Sequence, residues 1–468
     1  MEPFAMTIGG RGATAAQRFP VVNPARPQEI VGEAPECTPA LLDEAMRTAQ
    51  RAFPAWAADA DGRHERLRAA AAALRRAADD LAPLLTREQG KPLRDARREV
   101  LISADRFDYF AGLALTQKTI QDDDAAHVTL VRKPLGVVAA ITPWNSPIVT
   151  AVNKVAPALA AGNAVVLKPS PYTPLATLAI GSLLAEVLPA GILNVISGRD
   201  PLGAEMVAHP VPRKIALTGS VATGKRVAAE AGTDLKRVTL ELGGNDAAIV
   251  LDDVDVEHAA DGLFWGAFSN CGQVCVAIKR LYVPRSRYDE VVDALAAKAA
   301  SVRVGDGMEP ETEIGPLNNE PQLARVRELV ADALAHGARV AAGGAPLERD
   351  GWFHAPTIVA GATDGMRIVD EEQFGPALPV IAYDALEDAI ERANDTMFGL
   401  GGSVWGEDRE RARAVAAQLQ CGTAWINAHR VLQPHQPFPA VKWSGIGVHG
   451  GILGLEECTE IQTVYERR

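Results

Sequence analysis

From residue 136 onward the chain alternates between short apolar runs and helix-like stretches, and this limits the fold more than any other feature. Runs at 136–141, 164–167, 193–197, 214–217, 237–240 and 247–251 have strand length, and segments such as 148–161 and 174–187 separate several of them. Strands covered by helices on both faces read as near-continuous apolar runs. The pattern therefore predicts βαβ units and a parallel sheet. Ligands of such sheets sit outside the carboxyl ends of the strands, where Gly198 and Gly219 directly follow two of the runs. Beyond Asp252-Asp253-Val254-Asp255 a second α/β region extends to about residue 443, with helices expected at 288–302, 322–336 and 408–419. The acidic group offers metal-ligand chemistry, but a turn with helix-capping aspartates accounts for it.

The flanks are less regular. The first fifty residues read as Pro-rich and irregular, with Asn23-Pro24-Ala25-Arg26-Pro27 as a turn cluster. Residues 63–85 read as an amphipathic surface helix. Leu67, Leu74 and Leu81 recur every seven residues, too briefly for a coiled coil, and Gly90 and Pro92 supply the stop. Residues 117–134 form a polar turn between β-prone segments, an exposed hairpin whose edge strand needs cover.

A chain of 468 residues has room for two or three domains. Its net charge of −12, without a basic patch, argues against nucleic acid or an anionic membrane as partner. No stretch approaches 18 uncharged apolar residues, so no membrane span is expected. The N-terminus lacks a basic start and a long apolar run, so no signal peptide is expected. Five cysteines (37, 271, 275, 421 and 458) make an odd count with no CxxC pair. That usage points to free thiols in a reducing, cytoplasmic compartment. Cys271 and Cys275 lack a nearby histidine to complete a metal site.

Cys275 stands in Phe268-Ser-Asn-Cys-Gly-Gln-Val-Cys-Val-Ala277. A thiol is the strongest ordinary side-chain nucleophile, but only as thiolate. Taken alone, Cys275 reads more readily as a small buried hydrophobe; its company elsewhere in the chain shifts the reading. Upstream lie Glu241-Leu242-Gly243-Gly244-Asn245, Lys168-Pro169-Ser170 and Thr142-Pro143-Trp144-Asn145, and downstream lies Glu371-Glu372-Gln373-Phe374-Gly375-Pro376. These five segments, in this order, resemble the cysteine, glutamate, lysine, asparagine and ribose-binding motifs of the NAD(P)-dependent aldehyde dehydrogenase superfamily. The likeness extends from Asn23-Pro24 to Ser444-Gly445.

The resemblance implies an α/β fold. It has a Rossmann-type parallel-sheet NAD(P)-binding domain (1–116 and 135–245), a second α/β catalytic domain (246–443), and a small β oligomerisation arm with the C-terminal tail (117–134 and 444–468). It implies oxidation of a small-molecule aldehyde to its acid with NAD or NADP, without a metal, by a homodimer or homotetramer. Cys275 would be the nucleophile, Glu241 the base that activates water, and Asn145, with the Cys275 N–H, the oxyanion hole. Thr142, Pro143, Trp144, Lys168, Ser170, Gly219, Ser220, Leu242, Gly243, Glu372 and Phe374 would hold the cofactor. A carboxylate near an apolar pocket should have a raised pKa, which suits Glu241 to that task. Gly219 to Lys225 also fits seven positions of a phosphate-binding P-loop, but the eighth is Arg226, where a hydroxyl is needed. The Thr218-Gly219-Ser220 turn instead presents a helix N-terminus to a pyrophosphate.

The chain departs from the family pattern in three places. Pro171 replaces a glutamate that would repel a 2′-phosphate, which leaves room for NADP beside NAD. Ser146 stands where an aromatic residue is common. Phe438-Pro439-Ala440 stands where Phe-Gly-Gly is usual, so that loop is expected to run differently. His429-Arg430 fits either a loop tip in water or a polar pair favouring an acidic aldehyde. The competing functions are a CoA-acylating relative and a non-catalytic binding protein on the same scaffold.

Overall fold

The computed structural model describes residues 4–468. Two large sheets carry it. The first runs Arg11–Ala13, Met6–Ile8, Leu193–Val195, Ala164–Lys168, Val137–Ile141, Lys214–Thr218, Arg237–Glu241 and Gly445–Ile446. Its five central strands are parallel, with an antiparallel strand against each side. The second runs Arg339–Ala342, Thr357–Ala362, Ala377–Tyr383, Ile278–Pro284, Asp246–Val250, Gly401–Trp405 and Thr423–Ile426, parallel except at its first strand. The sixth apolar run thus opens the second sheet rather than closing the first.

Register fixes what the strand ends present. Glu241 lies opposite Thr218, and Lys168 opposite Ile141, at the carboxyl ends of the first sheet. Apolar side chains sort into two separate cores, one around Leu67, Phe107 and Val165, the other around Phe264, Tyr282 and Val380. A third, small sheet pairs Thr459–Arg467 with Ala126–Pro134 and that strand with Lys118–Asp122. The hairpin's edge is therefore covered on one side by the end of the chain.

The N-terminal segment is more ordered than its prolines suggest. Arg18–Asn23 and Arg26–Pro35 form an antiparallel pair, and a 20-residue helix spans Pro39–Ala58. Pro39 sits in the first turn, where a missing N–H is harmless, and the Thr38 side chain accepts from Leu41 N–H as cap. The expected 63–85 helix is two helices, Ala60–Arg76 and Ala78–Gln89, broken at Ala77. Leu67, Leu74 and Leu81 are buried, and Gly90, at φ +103°, closes the second helix with its N–H on Thr86 O at 2.8 Å. Asp255 caps the helix Val256–Phe268, while Asp252 pairs with Arg411 and Asp253 accepts from Asp408 N–H, as the capping reading expects. Among the described residues no helix is long and apolar enough to cross a membrane.

Candidate active site

The loop before Cys275 is held open by unusual backbone geometry. Asn270, Cys271 and Gly272 have φ of 53°, 58° and 69° in succession. A Cβ at Gly272 would strike the Gly375 carbonyl, so this position requires glycine. Side chains brace the turn. Asn270 Nδ2 donates to Asn145 O at 2.9 Å, and Gln273, fully buried, donates to Asn270 O at 3.0 Å and accepts from Asn318 N–H at 2.8 Å. Cys275 follows, half-buried, against an apolar cluster containing Val274, Val276, Trp425 and Phe438. Burial pushes its thiol well above the usual range, the charges of Glu241, Asp246 and Glu372 push it further, and the Val276 N–H opposes them.

Asn145 reaches the same loop from the first sheet. Its Nδ2 donates to Gln273 O at 2.9 Å, which fixes the amide and leaves its second hydrogen free. The Cys275 N–H makes no bond to a protein acceptor among the described residues. Two unspent donors thus belong to the Cys275 loop and to the side chain bound to it, one from each half of the molecule.

Glu241 corrects an expectation. It is buried, but its surroundings are not apolar. Oε2 accepts from Thr218 Oγ1 at 2.9 Å and from His449 Nδ1 at 3.0 Å, and Lys154 Nζ donates to the same Thr218 hydroxyl at 2.5 Å. Burial raises the Glu241 pKa, but the His449 bond, the Lys154 charge and the Thr218 bond outweigh it and bring it down to about 2. Burial, joined by Lys154, holds His449 below its ordinary value, so it serves as a neutral Nδ1–H donor. The loop 438–440 accounts for its position. Phe438–Pro439 pairs antiparallel with Val448–His449, and Phe438 opposite His449 sets the imidazole against Glu241.

The remaining residues line the ends of the first sheet. Lys168 is buried, with its ammonium hydrogen-bonded to the Pro169 carbonyl at 3.4 Å and within the field of Asp200 and Glu36. Ser170 lies on the turn that follows. Thr142 Oγ1 is buried with no hydrogen-bond partner. Gly219 and Ser220 open the helix Val221–Thr233, with Ser220 accepting from Thr223 N–H as cap. From the second sheet Glu372 Oε1 accepts from Gly244 N–H at 3.0 Å, and a Cβ on Gly243 would strike its other oxygen. Phe374, at φ 47°, meets Trp144 edge to face at 5.3 Å. An orphaned hydroxyl, a buried lysine with no carboxylate within 4.0 Å and a helix N-terminus on one sheet edge suit a diphosphate dinucleotide. The donor set therefore fits NAD(P).

The aldehyde dehydrogenase family model matches residues 12–464. The chain belongs to the aldehyde dehydrogenase family. It is 40% identical over 459 residues to a betaine aldehyde dehydrogenase of Cereibacter sphaeroides, covering 96% of this chain and 93% of that one. It is 38% identical over 456 residues to the NADP(+) succinate-semialdehyde dehydrogenase of Escherichia coli, covering 96% and 94%. Its fold superposes on the NAD+ complex of an aldehyde dehydrogenase from Bacillus cereus with a TM-score of 0.97 at 36% identity, covering 100% and 97%. The chain is accordingly an NAD(P)-dependent enzyme that oxidises an aldehyde to its acid.

In this aldehyde dehydrogenase the sequence reading missed Lys154, Asp246 and His449, and it took Thr218 only as part of the pyrophosphate turn, not as a partner of Glu241. A lone lysine inside the apolar run 148–161 was the available signal for Lys154. The remaining three need the strand register to be seen. The loop-tip reading of His429 also fails. Its ring is fully enclosed, with Nε2 2.9 Å from Val276 O and Nδ1 2.9 Å from Ser403 Oγ.

Proposed function

We propose that Cys275 carries the oxidation and that Glu241 completes it. Bound NAD(P)+ supplies positive charge, which favours the thiolate, and a carbon that accepts hydride. Cys275 Sγ attacks the aldehyde carbon, and the new oxyanion is met by Asn145 Nδ2 and the Cys275 N–H. Each such donor is typically worth about 10²–10³ in rate. Hydride departs from that carbon and leaves a thioester on Sγ. Glu241 then takes a proton from water while the water oxygen adds to the thioester carbon. The C–S bond breaks, the acid leaves, and the thiol is restored. The observation that carries this reading is the half-tied carboxylate: Oε2 is held by two donors, while Oε1 has no hydrogen-bond partner among the described residues and can face water.

Cofactor roles follow from the same placement. Lys168 and Ser170 would hold the adenosine ribose, Gly219 and Ser220 the pyrophosphate. Thr142 and Pro143 would line the dinucleotide with Leu242 and Gly243. Glu372 would hold the nicotinamide ribose, with Trp144 and Phe374 beside the ring. Pro171 supplies no carboxylate of its own beside Lys168, though Asp200 and Glu36 act on it from further off, which supports use of both NAD and NADP. A preference for NAD beyond about a thousandfold in steady-state kinetics would refute that.

The proposed division is 1–116 with 135–245 for the cofactor domain, 246–443 for the catalytic domain, and 117–134 with 444–468 for the arm and tail. The two separate cores support it, with the exception that Gly445–Ile446 adds a strand to the first sheet. The arm exposes Ile120, Ile461, Val464 and Tyr465, which favours pairing between subunits as a dimer or tetramer; a monomer by light scattering at micromolar concentration would refute it. Five unpaired cysteines favour a cytoplasmic setting. Relatives named for a cationic aldehyde and for an anionic one are almost equally similar to this chain, so identity does not choose its substrate.

Absorbance at 340 nm tests the reading, with NAD or NADP, an aldehyde panel and a Cys275→Ala control. Reduced cofactor without CoA and a silent control are expected. Turnover that begins only when CoA is added would transfer the second half of the reaction to the acylating alternative.

A further inference from the structure

Arg430 is the basic side chain near Cys275 that the mechanism leaves unused, and its neighbours fix its place. The enclosed His429 ring is fastened to Val276 O, the carbonyl next to Cys275, and to Ser403. Trp425 packs on that ring at 4.8 Å and donates Nε1–H to Val431 O at 3.0 Å. Ala428 and Leu432, on either side, belong to the apolar cluster that contains Cys275. The segment 428–432 is thereby stapled against the nucleophile loop, and Arg430 sits within it at φ 62°. A non-glycine residue keeps such a conformation only where its surroundings impose it.

The guanidinium itself has no protein partner. Among the described residues it has no carboxylate within 4.0 Å and donates no hydrogen bond. The other basic groups around the site are occupied: Lys154 on Thr218, Lys279 on the Gly375 carbonyl and Lys91 on Glu99. Three groups act electrostatically on Arg430: Asp95 and Arg98, both on the helix Leu93–Ala111, and Cys275. Arg94 lies 4.0 Å from Asp95 and already shares its charge. Burial works against the charged form of Arg430, and one shared carboxylate facing two further arginines does not neutralise the group. Arg430 is half-buried, so its unpaired guanidinium is partly desolvated yet still open to a ligand, and its planar fork matches a carboxylate.

We propose that Arg430 is the anion-recognition residue of the substrate channel, and that the aldehyde carries a carboxylate at the end remote from its carbonyl. The assignment rests on the proposed role of Cys275. The carboxylate end would dock on Arg430 while the apolar wall of Val274, Trp425 and Phe438 guides the intervening methylenes. The carbonyl is thereby presented to Sγ, so the charge at the far end contributes to position as well as affinity.

Steady-state kinetics on the full-length enzyme with three aldehydes of matched length test this, one ending in carboxylate, one in methyl and one in trimethylammonium. The expected order of kcat/KM is carboxylate, methyl, trimethylammonium. In Arg430→Met the carboxylate-to-methyl ratio should fall by on the order of 10²-fold, mainly through KM. Arg430→Lys, which keeps charge but loses the fork, should recover part of it, and Arg430→Glu should move the preference toward trimethylammonium. A wild-type enzyme that favours the methyl or trimethylammonium substrate overturns the proposal, as does a ratio unmoved in both Arg430→Met and Arg430→Lys. A phosphate-terminated aldehyde used better than the carboxylate one overturns the carboxylate assignment. Turnover of the methyl substrate with no Arg430-dependent preference removes this inference alone, whereas no turnover of any aldehyde removes the dehydrogenase reading with it.

Discussion

Two carboxylates, Glu241 buried and Glu372 half-buried, act on Cys275 from opposite halves of the molecule, and their environments push them in opposite directions. Glu241, at the end of a first-sheet strand, is brought down to about 2. Glu372, on the second-sheet side, is pushed up to about 7. Both are desolvated, so burial alone cannot explain the split. Glu241 has Thr218 and His449 on one oxygen and the Lys154 ammonium close by. Glu372 has burial against it, relieved by a single backbone N–H from Gly244 and the more distant Lys279, with Asp246 adding like charge. Burial sets the direction only where donors are few. The chemical consequence is a division of labour. Glu241 stays an anion across the working range, always in the form the proposed base requires, whereas Glu372 changes between acceptor and donor near neutrality, as would suit the proposed contact with ribose hydroxyls.

The strongest way to break this comparison is to neutralise each acid in turn. Glu241→Gln should lower steady turnover by about 10²–10⁴-fold, the range of a lost general base. Glu372→Gln should act mainly on cofactor KM, by roughly tenfold, the worth of one modest hydrogen bond. Equal losses of kcat in the two variants would erase the distinction. Asn145→Ala, which removes the proposed donor to the oxyanion, should fall between them at about 10²–10³-fold in kcat.

His449→Phe sharpens the account of Glu241. With one donor gone the carboxyl should titrate higher, so the acid limb of the kcat profile should move to higher pH while the plateau changes by less than about tenfold. A profile that does not move would mean that Lys154 and Thr218 suffice. Glu241→Gln should also raise the rate of Cys275 alkylation by iodoacetamide at pH 8, because one of the carboxylate charges that hold the thiol up is removed.

Thermal stability offers the smallest effects, with opposite signs. Glu241 titrates below its ordinary value of 4.5, so its contribution is present above pH 4.5 and is lost as pH falls toward 2. Glu372 titrates above 4.5, so its contribution is present below that value and is lost as pH rises through 7. Between pH 5 and 8, Glu372→Gln should gain on the wild type as pH rises, by on the order of 1 kcal/mol, while the deficit of Glu241→Gln stays level. Calorimetry across that range reads both.

Much of the frame was legible because parallel strands covered on both faces leave long apolar runs. The helix Pro39–Ala58 was hidden by its own prolines, one at the first turn and Pro54 within. The split at Ala77 was hidden because alanine and leucine continue across it. At the site, the segments containing Cys275, Glu241 and Asn145 stood out as motifs, but the environment of Glu241 did not. Its partners Thr218, Lys154 and His449 lie 23, 87 and 208 positions away and meet it only through sheet register and the pairing of Phe438 with His449. The loop-tip alternative for His429 could not be dismissed from sequence for the same reason, since its partners are Ser403 and the Val276 carbonyl.

The division of labour is tested most directly by mixing Glu241→Gln with saturating NAD or NADP and aldehyde and following 340 nm absorbance from the first milliseconds. The account requires a burst of about one reduced cofactor for each Cys275 thiol, then near-silent turnover as the thioester waits for water. Absence of the burst would place Glu241 before hydride transfer, and an undiminished steady rate would remove it from the reaction.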